Sequence, residues 1–214
     1  MTAQIVLSPL SQPAQLRRMA VLTWLELPRV VAVGLVWILL ALPMLTGLLG
    51  VPWYLVALAA LPSCLYATGL ARFAAIISRG ERPTIRDAFR VDALLGLTVE
   101  VGVFASSALL SDGRALIIPG VLLTALLLVI VPFALSYGAV RERTGFSAWR
   151  GGLILVAYRP GTAITVLALN CIGGFVVVAS LGVLGVFVPC FLAVFSCALV
   201  GAQLNDIHAR TGTQ

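Results

Sequence analysis

The sequence contains no lysine, and all fourteen of its positively charged side chains are arginine. The chain therefore cannot have a phosphate-loop lysine, a Schiff-base lysine or a lysine general base. It has one histidine, His208, in a polar segment near the end of the chain. A single histidine excludes HExxH metal sites and leaves Ser-His-Asp triads and His–Cys dyads unsupported. We predict no catalytic residues, no bound metal and no cofactor.

Charge is scarce as well. Charged residues make up 10% of the chain and apolar residues 61%, whereas soluble domains have about 25% and about 45–50%. The interior of a 214-residue soluble domain could not bury this much apolar surface. The composition predicts an integral membrane protein whose main partner is the lipid bilayer. The net charge of +6 does not indicate nucleic-acid binding, because the arginines stand at the ends of apolar runs.

The four cysteines all lie inside apolar runs, and no CxxC pair occurs. Free cysteine behaves as a small apolar residue. We interpret Cys64, Cys171, Cys190 and Cys197 as packing residues and not as disulfide partners or metal ligands.

Long charge-free runs predict the fold class, an all-α polytopic membrane helical bundle with six transmembrane helices. About 20 apolar residues are enough to cross a bilayer. One uncharged run, 30–71, is long enough for two crossings, as is a second, 160–205. We predict a single transmembrane domain over 30–205, a segment with an interfacial helix over 1–29 and a tail over 206–214. The predicted spans are about 30–48, 53–76, 93–111, 115–139, 161–181 and 184–205.

The arginines predict the orientation of these spans. With six spans, all arginines except Arg114 fall on one side of the membrane. Arginine and lysine are enriched in cytoplasmic loops. We therefore predict an inner-membrane protein with both termini in the cytoplasm and a non-cleaved first helix.

The two long cytoplasmic connections have helical signals. Thr84 and Asp87 have the spacing of a capping box, which predicts a short amphipathic helix at the interface. A second interfacial helix is predicted over 146–158, with an apolar stripe of Phe146, Trp149, Leu153 and Val156 and a weak point at Gly151-Gly152. A third is predicted over 15–26.

Three hairpins are one interpretation of this pattern. An apolar-Pro-x-x-Leu motif follows each predicted turn, at Pro62, Pro132 and Pro189. We expect these prolines to kink their helices, which membrane proteins tolerate. The motif spacings are unequal, so a three-hairpin pseudo-repeat stays one of two alternatives.

Glu100 is the one ionisable residue well inside a predicted span. A charge at the centre of a spanning helix costs roughly 2.5–3.5 kcal/mol on insertion scales, so it needs a partner, water or a proton. We favour a structural ion pair with Arg72 over a cation or proton site. Asn170 is the other intramembrane polar candidate, and we favour an interhelical hydrogen bond over a substrate contact.

A charged belt on the two connections is the candidate docking surface. Topology and lipid headgroups alone could account for it, and docking of a membrane transporter or sensor complex is the sharper alternative. The candidate docking residues are Arg86, Asp87, Phe89, Arg90, Arg141, Arg143, Trp149 and Arg150.

Several short motifs resemble the YesL-type family of bacterial membrane proteins. They are the stretch 65–72 in the second span, Arg79-Gly80-Glu81, and the segment 86–90 before the third span. The stretch 37–43 and the start of the fifth span at 158–160 also fit, so that the resemblance covers about 25–205. Members of that family often accompany binding-protein-dependent carbohydrate uptake systems and have no established catalytic residues. The resemblance implies an accessory role. Glu100 does not belong to the motifs shared with that family.

Four functions compete. We favour a non-catalytic accessory subunit that docks to a transporter or sensor. A transporter or channel that uses Glu100 comes second. The permease subunit of an ATP-driven importer comes third, because the expected coupling-loop pattern is missing. A lipid-modifying enzyme comes last.

Overall fold

The computed structural model describes residues 12–44, 51–111, 116–180 and 182–212, and these residues form an all-α bundle. Six segments of the described chain are long and apolar enough to cross a membrane. This confirms the predicted fold class and fits a multi-pass membrane protein. The six segments are Leu27–Met44, Trp53–Ser78, Ala93–Ser111, Ile117–Arg141, Pro160–Ala179 and Val188–Arg210.

The described part of the chain contains nine α-helices. They are α1 (Gln12–Leu25), α2 (Leu27–Ala41), α3 (Trp53–Ala59), α4 (Leu61–Ser78), α5 (Ala93–Ser111), α6 (Ile117–Arg141), α7 (Phe146–Tyr158), α8 (Pro160–Ala179) and α9 (Val188–Thr211). A 3₁₀ turn, Ile85–Phe89, lies between α4 and α5, and another, Val183–Val186, precedes α9.

The last span differs from its predicted bounds. The prediction starts it at 184, inside the 3₁₀ turn, whereas α9 begins at Val188 with Pro189 in its first turn, where a missing N–H costs nothing. The helix then continues to Thr211, so most of the predicted tail is helical. Arg114 lies outside the described residues, as does part of the connection between the first two predicted spans.

The three prolines occupy two kinds of position, since Pro62 and Pro189 lie in the first turn of a helix and Pro132 lies inside one. Pro62 follows a break at Ala60 that divides the second span into α3 and α4. Pro132 lies inside α6, and Pro189 lies in the first turn of α9. The expected kink at Pro189 is therefore wrong, because a first-turn proline interrupts no helical hydrogen bond. Two of the three motifs are therefore alike, because Pro62 and Pro189 are each the second residue of a helix, and the pseudo-repeat stays a prediction.

The core of the bundle lies between α4 and α9. Half of the residues in each of these two spans are buried, against 17–28% in the other four. Phe73 of α4 and Cys190 and Val194 of α9 are fully enclosed. The Cys197 thiol reaches the Ala71 carbonyl oxygen at 3.5 Å. The cysteines are free, and Cys190 and Cys197 are packing residues of this core, as predicted.

Arginine side chains gather at one end of the bundle, which we call the arginine-rich end. Arg79 donates to the Val140 carbonyl oxygen at 2.9 Å, Arg141 lies 2.8 Å from His208 Nε2, and Arg159 pairs with Asp206 at 2.7 Å. The helix α1, the 3₁₀ turn 85–89 and the helix α7 lie at the same end. His208 lies on α9 and is exposed there, with its Nδ1 2.6 Å from the Leu204 carbonyl oxygen.

The helix α7 packs against α6 through glycine. A Cβ on Gly151 would overlap the Tyr137 ring, and one on Gly152 would come within 2.7 Å of the Ala134 amide nitrogen. The predicted helix is present, and the face that it buries is formed by Ala148, Gly151, Gly152 and Leu155, whereas Phe146 of the apolar stripe is 71% exposed. Small side chains bring two helix backbones close together, so glycine strengthens this packing where the sequence suggested a weak point.

Candidate functional site

The first connection, 79–92, folds back along α4. The capping box predicted at its centre is present: Thr84 N–H and Thr84 Oγ1 both donate to Asp87 Oδ2, at 2.9 and 2.7 Å. It starts a 3₁₀ turn and not an α-helix. Gly69 permits the close approach, because a Cβ there would overlap the Ala88 carbonyl oxygen.

The capping box also sets the acidity of its carboxylate. The hydrogen bonds from the Thr84 hydroxyl and the Thr84 amide hold the pKa of Asp87 below its ordinary value of 3.8, and the nearby Arg90 acts in the same direction. Arg90 is 3.9 Å from Asp87 and its side chain is 73% exposed, so this ion pair is weak.

Asp92 joins the two connections, and the sequence analysis missed it. Its backbone N–H donates to Thr68 Oγ1 at 2.8 Å, which fixes the start of α5 against α4. Its carboxylate accepts hydrogen bonds from the Leu95 N–H at 3.1 Å and from the Gly145 N–H at 2.9 Å. Asp92 is buried, so these bonds are shielded from water. An aspartate directly before a long apolar run is a helix N-cap signal, and that signal was available in the sequence.

The second connection, 142–159, is held against α5 at two further points. Gly145 has a positive φ of 54°, which other residues rarely adopt, and an added Cβ would come within 2.3 Å of the Leu94 side chain. One helical turn later, Trp149 Nε1 donates to Thr98 Oγ1 at 2.7 Å. The two connections therefore meet at the first two turns of α5.

The structure divides the predicted docking residues. Arg86, Phe89, Arg90, Arg143 and Arg150 are exposed at the arginine-rich end. Three of these arginines have no ion pair within the described residues: Arg86, Arg143 and Arg150.

The remaining three predicted docking residues have structural partners. Asp87 is occupied by the capping box, Trp149 faces Thr98, and Arg141 contacts His208. We assign these three to the fold of the connections, Arg141 by its contact with His208 although it is also exposed, and keep the other five, Arg86, Phe89, Arg90, Arg143 and Arg150, as the candidate docking surface.

The predicted ion pair between Arg72 and Glu100 is wrong, because it does not form in the described structure. The register of α4 against α5 explains the error. Asp92 lies beside Thr68, and a Cβ on Gly96 would be 2.9 Å from Leu65 Cα, so Glu100, one turn further along, lies beside Cys64. Arg72 is eight residues from Cys64, or about 12 Å along the helix axis.

Among the described residues Asn170 has no hydrogen bond to another helix, so that prediction is also wrong. Its side-chain amide donates to the Val166 carbonyl oxygen of its own helix α8, at 2.8 Å. A bond of this kind satisfies the amide within one turn and needs no neighbour.

Gln203 on α9 is a second polar residue that the sequence analysis missed. It is 3% exposed, and neither polar atom of its side chain has a hydrogen-bond partner in the described structure. No group of three or more histidine, cysteine or acidic side chains with metal-binding geometry occurs among the described residues.

No family model, no curated protein and no solved structure matches this chain. The resemblance to the YesL-type family therefore stays a prediction. Two features of the molecule stand out on geometry alone: the docking surface at the arginine-rich end and the buried carboxyl of Glu100.

Proposed function

We propose that this chain is a non-catalytic docking subunit of the bacterial inner membrane. It spans the membrane six times and presents its arginine-rich end to a partner protein in or at the membrane. One observation carries this proposal. The hydrogen bonds of Asp92, which we call the Asp92 bracket, hold two arginine-bearing connections at the start of one helix.

The docking surface has the properties of a recognition surface more than of a lipid-facing belt. Arg86, Arg143 and Arg150 have no carboxylate partner in the described structure, and Phe89, three positions after Arg86, exposes 55% of its surface. Arginine and aromatic residues are enriched in protein interfaces. Because the connections are tied down, little conformational freedom is lost on binding. We expect a partner surface that is acidic and partly apolar.

The kind of partner is inferred from the resemblance to the YesL-type family. An accessory protein of a carbohydrate uptake system would dock to the transporter or to a membrane sensor that serves it. The arginine bias favours a cytoplasmic location for the arginine-rich end.

Site-specific photocrosslinking in the native membrane tests the docking proposal. A photoreactive amino acid at Phe89 or at Arg150 should give a discrete protein adduct. The matched control is Phe175 on α8, which is 73% exposed but lies on a spanning helix. The double substitution Arg86→Glu and Arg90→Glu should remove the adduct without lowering the amount of membrane-inserted protein.

Two results would contradict it. One is the same adduct pattern from Phe89, Arg150 and Phe175, and the other is an adduct with lipid alone at all three positions.

Cysteine labelling of intact cells tests the orientation. Arg90→Cys should react with a membrane-impermeant maleimide only after the cells are broken. Val183→Cys, whose native side chain is 70% exposed at the opposite end of the bundle, should react in intact cells. Labelling of Arg90→Cys in intact cells would reverse the proposed orientation.

A further inference from the structure

Glu100 is a buried acidic group without a hydrogen-bond partner. It lies on α5 within the third span, it is 8% exposed, and both of its carboxyl oxygens lack a hydrogen bond in the described structure. Each unsatisfied buried polar group in a native structure asks for an explanation. The docking surface does not use this side chain, so the explanation lies elsewhere.

The helices packed around Glu100 bring no charge to it. On α4 the interacting group is the Cys64 thiol, whose contact with the carboxyl falls short of a normal hydrogen bond. The described residues of α3 and of α6 before Arg141 include no charged side chain. Arg150 is the only charged residue of α7, and it is exposed. Asp92, directly before α5, is two turns away and is bonded elsewhere.

An ionised carboxylate is not compatible with these surroundings. Burial of a lone charge without a partner costs so much that such a group takes up a proton instead. Within the part of the chain that the structure describes, the distance of Arg72, about 12 Å along the helix axis, leaves no cation close enough to offset that cost.

A metal ion is not compatible with them either. Hard cations such as Ca²⁺ take roughly six to eight oxygen ligands in proteins. One carboxyl and one thiol do not supply such a shell, and no cluster of ligating side chains occurs in the described residues. A proton is the one cation that a single carboxyl can hold by itself.

We propose that Glu100 is an exchangeable proton-binding site in the membrane interior. A purely structural acid would fix its O–H on a backbone carbonyl, as neighbouring hydroxyls do: Thr98 donates to the Leu95 oxygen at 2.8 Å and Ser106 to the Val103 oxygen at 2.9 Å. Glu100 makes no such bond. Its proton is therefore not locked, and the carboxyl can release it and bind it again.

Infrared spectroscopy of the full chain in proteoliposomes tests the proposal. The wild type should show the carbonyl band of a protonated carboxyl at neutral pH, and the band should shift when the lipid suspension is transferred to D₂O. Glu100→Gln should remove this band. Asp92→Asn should keep it, and Cys64→Ala should shift it without removing it.

A carbodiimide supplies an independent measurement. A lipid-soluble carbodiimide should label Glu100, because the acid adds across one C=N bond of the reagent, gives its proton to nitrogen and rearranges to a stable N-acylurea. Mass spectrometry of the digested protein locates the adduct, and Glu100→Gln should lack it.

Two results would overturn the proposal. Absence of a protonated carboxyl band from the wild type would mean that Glu100 is ionised. A band that is present but does not respond to D₂O would mean that the proton is locked. Both are measured on the wild type, so they do not depend on whether a variant folds.

Discussion

Asp92 and Gly145 are 53 positions apart in the sequence, and the Asp92 carboxylate accepts a hydrogen bond from the Gly145 N–H at 2.9 Å. The other oxygen of the same carboxylate accepts from the Leu95 N–H, at the start of α5. One buried side chain thus fixes a spanning helix and the loop that leads into α7. The positions of both arginine-bearing connections depend on it.

Removal of this carboxylate should loosen both connections. Asp92→Ala leaves the Leu95 and Gly145 N–H groups without acceptors, and an unsatisfied buried donor costs about 1–3 kcal/mol. We expect a lower melting temperature in detergent and faster trypsin cleavage after Arg90 and Arg143. Asp92→Asn keeps one oxygen acceptor and should lose less. Equal melting temperatures for Asp92→Ala and the wild type would show that the bracket does not hold the connections.

Gly69 should not tolerate a methyl group. In Gly69→Ala the new Cβ overlaps the Ala88 carbonyl oxygen and has to displace the 3₁₀ turn. Overpacking of this kind costs about 1–3 kcal/mol. The matched control is Gly174→Ala on α8, where nothing lies within 4 Å of the added carbon and alanine should be neutral or slightly stabilising. Thermal unfolding of the two variants side by side distinguishes them, and equal losses would contradict the close approach.

Trp149 and Thr98 should be energetically coupled. Trp149→Phe removes the Nε1–H donor of the 2.7 Å bond, and Thr98→Val removes its acceptor. A net hydrogen bond contributes about 0.5–1.5 kcal/mol. In a double-mutant cycle, the double variant should lose less stability than the sum of the two single variants. Strict additivity would mean that the bond contributes nothing.

The capping box should weaken in acid. The pKa of Asp87 is lowered in the folded connection, so its contribution to stability is complete above its ordinary value of 3.8 and is lost as the pH falls through the lower folded value. Asp87→Asn removes the titration. The melting temperature of the wild type minus that of Asp87→Asn should be constant at and above about pH 5 and should shrink below about 3.8. A difference in melting temperature that grows in acid would contradict the lowered pKa of Asp87.

Short-range sequence patterns correctly predicted the features that depend on neighbouring residues alone, namely the spans and the capping box. The six spans followed from apolar runs, because burial in lipid needs only length and low charge. The Thr84–Asp87 capping box followed from a three-residue spacing, and the structure has both of its hydrogen bonds.

The errors concern the register between helices. The prediction paired Arg72 with Glu100 by depth, on the assumption that α5 begins where α4 ends. In fact Gly69 lets the connection fold back along α4, and α5 begins beside Thr68. A single sequence does not show which of its glycines packs against the backbone of another segment. The same limit hid the packing of Gly151 and Gly152 on α6.

The location of the extra elements has a mechanical consequence for the bilayer. The helix α1, the 3₁₀ turn and α7 add protein cross-section at the arginine-rich end, and Trp24, Leu25 and Ile154 expose apolar surface there. Among the described residues, the opposite end carries only the ends of the spans and the 3₁₀ turn Val183–Val186. From these described residues we expect the protein to displace more lipid from the leaflet at the arginine-rich end than from the other leaflet. A protein of this asymmetric shape strains a flat bilayer more than a curved one. Local membrane curvature should therefore affect where the protein accumulates.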